Sequence, residues 1–136
     1  MFLNRKGHIN MKNSYIRDLL IYYYGDKCWL FGEVSMNNPL TLHHITPVRD
    51  GGKTTLENGA LLSLRKHEEF NKLEEQYPEL AQEINYYFEI YRGQYPQDVY
   101  ERISDIMLLV DMNYSHKNKN CRKITNYQRC LKKKRR

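Results

Sequence analysis

Cysteine is scarce in this chain. Its 136 residues hold three, Cys28, Cys121 and Cys130, too few and too widely spaced for a disulfide scaffold. A reducing, cytoplasmic setting is the expectation that follows. No apolar run approaches the roughly 20 residues of a membrane-spanning helix, so no membrane association is expected. The opening MFLNRKGHIN lacks the apolar stretch of a secretory signal. There is no internal repeat, and the length excludes a large multidomain enzyme. One further absence is local: residues 115–136 contain no Asp or Glu.

That acid-free end holds ten Lys/Arg, whereas the other 114 residues hold twelve against sixteen Asp/Glu, so the chain's formal net charge of +6 owes its sign to the tail. Uncompensated cations gain free energy by displacing counterions from a polyphosphate, so nucleic acid is the expected partner. A solvated, solubilising tail is the plainer alternative.

The rest reads as α+β and mostly helical. Ser14 is suited to cap a helix over 14–24, with Ile16, Leu19, Leu20 and Tyr23 at helical spacing and Gly25 as the stop. Residues 28–44 read as a hairpin of two strands, CWLFG and LTLHH, joined by a turn at Asn37-Asn38-Pro39. Residues 45–60, with Pro47, Gly51, Gly52 and Gly59, read as an ordered loop, and 61–75 as a helix. Pro78 fits a first helical turn, and two apolar stripes mark helices over 78–91 and 97–110. The chain thus divides into an arm (1–13), a central module (14–76), a helical extension (77–112) and a basic tail (113–136). Twelve tyrosines could stack on bases, but those at 22–24 read as packing residues with their hydroxyls outward.

The chemistry-bearing residues cluster within 29 positions. His43 and His44 are adjacent, so an extended backbone points them to opposite sides. One can then hold a cation while its neighbour faces substrate. His67 and Asn71 are four apart on a helix and share a face, offering an imidazole nitrogen and an amide oxygen. A cation with open positions and a base beside it is what metal-assisted hydrolysis requires.

Cys28-Trp29-Leu30-Phe31-Gly32, His43-His44-Ile45-Thr46-Pro47, Gly51-Gly52, Asn58, Leu61-Leu62 and His67 together resemble the HNH endonucleases, in order and spacing, over roughly residues 14–75. The resemblance implies a ββα-metal core of hairpin and helix that clasps one divalent ion and cuts phosphodiester bonds in DNA. It implies that His44 is the general base and that His43 and His67 are metal ligands. Asn58 is then either a ligand or a loop clasp that orients His44, and Asn71 either a further ligand or a plain surface residue. Mg²⁺ is the first expectation, with Mn²⁺, Ni²⁺ and Zn²⁺ as alternatives. Double-stranded DNA is the expected substrate, entered at the minor groove. Arg49, Lys53, Arg65, Lys66 and the tail residues Lys132, Lys133, Lys134, Arg135 and Arg136 are candidates for phosphate contacts.

Many members of that family hold a structural zinc with two Cys-x-x-Cys pairs. The corresponding positions here are Cys28, Phe31, Ser63 and Lys66, one thiol where four ligands are needed. No structural zinc is expected, and Phe31 is expected to fill the space as core. The rival reading keeps the fold without catalysis, as a nucleic-acid-binding module or as a subunit of a phage or mobile-element assembly. A homodimer is a further partner expectation.

Overall fold

A computed structural model describes residues 2–3 and 9–117, with side chains over residues 11–110. Among these residues the fold is mixed and mostly helical. Strands β1 (Phe2–Leu3) and β2 (Ile9–Asn10) pair antiparallel ahead of α1 (Asn13–Tyr24). A second antiparallel pair follows, β3 (Leu40–His44) and β4 (Gly59–Ser63). The chain continues as α2 (Leu64–Gln76), α3 (Pro78–Tyr91) and α4 (Gln97–Lys117). None of the described helices is long and apolar enough to cross a membrane.

The hairpin differs from the expected one. β3 pairs with β4, in the register Leu40↔Ser63 to His44↔Gly59, and CWLFG is not its partner. Residues 28–31 form a turn, in which the Phe31 amide donates to the Cys28 carbonyl and Phe31 takes a left-handed φ of 66°. Residues 59–63, expected to divide between a loop and a helix, are all buried. Helices cover both faces of this hairpin, so β4 shows no alternation of apolar and polar residues. α2 therefore begins at Leu64, with Ser63 as its N-cap. The Ser63 hydroxyl accepts from the Lys66 amide, and the buried Asn38 accepts from the Arg65 amide at 2.9 Å.

The flanking helices lie close to where the sequence pattern puts them, but in α1 only Ile16 and Leu20 are buried, and Tyr22 and Tyr23, expected to pack, are exposed. α1 begins at Asn13, with Lys12 rather than Ser14 in the N-cap position, and ends at Gly25 at φ 97°. α3 carries Pro78 in its first turn and buries Ala81, Ile84 and Phe88. α4 buries Val99, Ile103, Ile106, Met107 and Val110. Its backbone runs on to Lys117, past the expected tail boundary at 113, because no Gly or Pro interrupts residues 111–117. The remaining tail lies outside the described residues.

The hairpin lies between helices. On the β3 face bearing Leu42, Leu20 of α1 packs so closely that a Cβ on Gly59 would meet both leucines at 2.9 Å. The opposite face, bearing Thr41 and His43, meets His67 and Phe70 of α2 and Phe88 of α3. Trp29, Phe70 and Phe88 are fully buried, each contributing on the order of 1.5–3 kcal/mol by leaving water.

The knuckle positions are held by hydrogen bonds and ring contacts. The Cys28 sulfur accepts from the amides of Leu30 (3.4 Å) and Ser63 (3.2 Å). Phe31 does not fill a core as expected. Its left-handed backbone turns the ring outward, where it is 40% exposed and rests on Tyr100 and Tyr95 with centroids 4.4 and 5.8 Å away. Trp29 takes the interior place, and the Tyr95 hydroxyl donates to its carbonyl.

Candidate functional site

Strand geometry separates the two adjacent histidines. His43 points into the layer between β3, α2 and α3 and is 5% exposed. Its ring lies 4.6 Å from Phe70, 5.5 Å from His67 and 5.7 Å from Phe88, centroid to centroid. His43 Nε2 is 2.8 Å from Asn85 Oδ1 on α3. Burial pushes its pKa down to about 4, further lowered by the neighbouring His67 and His44 and partly offset by the Asn85 bond.

His67 sits in the first turn of α2, half-buried. Its Nδ1 is 2.7 Å from Thr41 Oγ1, whose hydroxyl donates to the Leu62 carbonyl at 2.8 Å. Burial and the charge of His44 lower its pKa, while Glu68 and Glu74 pull the other way. His44 faces the loop between the strands. Its Nε2 is 3.0 Å from Thr54 Oγ1, which in turn reaches toward Asn13 Oδ1 of α1 at 3.4 Å. It is half-buried, and that burial lowers its pKa. His44 is thus open to solvent and near enough to act electrostatically on both other rings.

The loop that presents His44 is held from within. Asn58 Oδ1 accepts from the Thr46 amide at 2.7 Å, and its Nδ2 donates to the carbonyls of Thr46 (3.0 Å) and Lys53 (2.8 Å). Both N–H groups and the oxygen of this amide are engaged, so of the two roles considered for Asn58 the geometry supports the clasp. Gly51 takes a left-handed φ of 89°, and a Cβ on Gly52 would lie 1.7 Å from the Thr46 carbonyl. The Gly-Gly pair serves this tight return of the chain.

The donor set suits a divalent ion. Two imidazoles bound to one ion through nitrogens about 2.0–2.1 Å away keep their rings at a separation like that of His43 and His67. A ligating imidazole commonly gives its other ring nitrogen to an oxygen, and both histidines do so here, to Asn85 and Thr41. Asn71 is exposed one turn beyond His67. Among the described residues no group of three His, Cys, Asp or Glu could hold an ion. His43 and His67 are thus the pair of imidazoles brought together here.

The candidate phosphate contacts are placed less uniformly. Arg49 is ion-paired with Glu74, and Lys66 with Glu69 at 2.9 Å. Arg65 and Lys53 are exposed on the surface. Lys132, Lys133, Lys134, Arg135 and Arg136 lie outside the described residues. A cleft between residues 45–50 and α3 carries Asp50, Glu74 and Glu89 on its walls together with Arg49, a lining with more acid than base.

Two residues of the site carry no local sequence signal. Asn85 lies 42 positions from the histidine that it touches. Arg92, at a left-handed φ of 54°, donates to the carbonyls of Leu56 and Glu57 and lays its guanidinium 4.9 Å from the Trp29 ring centroid, tying the end of α3 to the loop. Only an aromatic-rich neighbourhood in the sequence hints at the second.

β3, β4 and α2 form a hairpin-helix core consistent with a ββα arrangement, with His43 and His67 together on one face and His44 turned to the other. Residues 26–68 match the family model described as HNH endonuclease, which supports a function of the nuclease family. The match stops one residue past His67 and leaves α1, most of α2 and all of α3 and α4 outside it. No curated protein and no solved structure matches the chain.

Proposed function

We propose that the chain is a divalent-metal-dependent endonuclease that hydrolyses phosphodiester bonds in DNA. The observation that carries this reading is the pairing of His43 and His67, 5.5 Å apart, each with one ring nitrogen engaged by an oxygen. His44 is the general base. With Nε2 held at Thr54, its Nδ1 takes a proton from water as the water oxygen bonds to phosphorus and the bond to the leaving oxygen breaks. Burial keeps His44 neutral, and so able to accept that proton, to a lower pH than an ordinary imidazole. A bound divalent ion supplies Lewis-acid stabilisation of the charge that builds on phosphate. Mg²⁺ is the first choice for that ion, with Mn²⁺, Ni²⁺ and Zn²⁺ as alternatives.

Asn58 clasps the loop so that His44 keeps its aim, and Asn71 adds an amide oxygen beside His67. Arg65 and Lys53 contact phosphates near the cut, Arg49 and Lys66 do so on release from their acidic partners, and the basic tail gives sequence-independent affinity. One site cuts one strand, so a double-strand break takes two copies or two visits.

Supercoiled plasmid incubated with the protein and Mg²⁺ or Mn²⁺ tests the reading. Nicking is expected, with a loss of about 100-fold or more in H44A. Equal nicking by both proteins overturns the base assignment. No nicking by either, with DNA still bound, favours the rival in which the fold is a nucleic-acid-binding or assembly module.

A further inference from the structure

An imidazole in its neutral form carries one ring proton, and which nitrogen holds it decides which nitrogen can bind a cation. The partners of His43 and His67 settle that choice. Asn85 Oδ1 is an acceptor only, so His43 Nε2, 2.8 Å away, must be the donor. The lone pair of His43 then belongs to Nδ1. Thr41 has one hydroxyl proton and spends it on the Leu62 carbonyl at 2.8 Å. At its 2.7 Å contact with His67 Nδ1, Thr41 can therefore only accept. His67 Nδ1 carries the proton and Nε2 the lone pair. The two rings are thereby fixed in opposite tautomers, although the motif that contains both histidines says nothing of either.

We propose that Asn85, on a helix beyond the matched segment, is a positioning residue that commits His43 to present Nδ1, while Thr41 commits His67 to present Nε2. The significance for metal binding rests on the nuclease reading, but the tautomers do not. Asn85 touches neither substrate nor ion in this scheme and acts through His43 alone. Thr41 is inside the hairpin and its hydroxyl is locked by strand pairing of β3 with β4. Asn85 has no such lock, and its half-buried place on α3 means that packing of the helical extension sets the coordinating nitrogen of a residue far away in sequence. The extension is then part of the site as well as of the core.

The test uses the full chain, metal-free at neutral pH, with histidine labelled at its ring nitrogens. Long-range proton–nitrogen correlation reads which nitrogen of each ring is protonated. His43 is expected as the Nε2–H form and His67 as the Nδ1–H form. N85L removes the acceptor at similar volume, and N85D keeps an oxygen in place. N85L is expected to lose the fixed Nε2–H form of His43 and to weaken Mn²⁺ binding, read by calorimetry, by about 10–100-fold. N85D is expected to restore both. Finding the proton on His43 Nδ1 in the unsubstituted protein overturns the proposal whether or not N85L folds. So does an N85D that behaves as N85L, or a folded N85L with the tautomer and Mn²⁺ affinity unchanged. Tautomers and affinities as expected without plasmid nicking would remove the nuclease reading and leave this assignment standing.

Discussion

Asn58 holds Thr46 at both of its backbone polar groups, accepting from the amide at 2.7 Å and donating to the carbonyl at 3.0 Å. One side chain thus does for the loop what a paired strand does for its neighbour. Thr46 lies two residues beyond His44, so the clasp limits how far His44 can swing. N58A should cut plasmid nicking severely while leaving Mn²⁺ affinity close to that of the unsubstituted protein. Stability should fall by about 1–3 kcal/mol, since the Thr46 and Lys53 groups lose their partner. Urea unfolding and calorimetry separate the two effects. Unimpaired nicking would show that the clasp does not orient His44.

The buried His43 makes stability depend on pH. In the unfolded chain its pKa is near 6.5, and in the fold burial pushes it down to about 4. Above pH 6.5 both states are neutral and the stability is fully present. Between pH 6.5 and 4 the unfolded chain gains a proton that the fold refuses, so stability falls as pH drops, by about 1.4 kcal/mol per unit. The total is on the order of 3 kcal/mol for the metal-free protein. Urea midpoints across this range should show the slope in the unsubstituted chain and a flatter line in H43L. Equal slopes would place the titration elsewhere.

Asn71 offers a direct test of the open side of the site. It is exposed, and His67 is one turn away on the same helix. N71H exchanges an amide oxygen for an imidazole, which softer transition ions prefer. Ni²⁺ binding should tighten by about tenfold, a factor worth about 1.4 kcal/mol, with folding unaffected. N71A should weaken it. Identical Ni²⁺ isotherms for all three proteins would make Asn71 an ordinary surface residue.

The basic tail gives a prediction in salt. Removing residues 118–136 takes away nine Lys/Arg and leaves the described fold whole. DNA affinity should drop, and its dependence on salt should flatten by about 0.9 for each phosphate that is no longer neutralised. An unchanged slope would assign the tail to another role.

The sequence displays some of these features openly and hides others. Pro78 in a first turn and the stripe of Leu80, Ile84, Tyr87, Phe88 and Tyr91 locate α3 to the residue, because local chemistry and periodicity agree there. The histidines and Asn58 stand out because their spacing follows from one short unit. β4 is not legible as a strand, since a segment covered on both faces loses the alternation that marks one. CWLFG looks like a strand from its apolar residues, while the left-handed backbone at Phe31 leaves no trace in composition. Asn85 and Arg92 act across 42 and 35 residues, beyond the reach of any local pattern.

The hairpin's enclosure between α1 on one face and α2 and α3 on the other bears on redesign. A graft of the short histidine-bearing stretch into a foreign scaffold would arrive with its oily sides bare and with His43 lacking its amide companion. The smallest portable unit should therefore run from α1 through α4, whose Val99, Ile103, Ile106, Met107 and Val110 belong to the same core, and a shortened version should lose its ends rather than keep the motif alone.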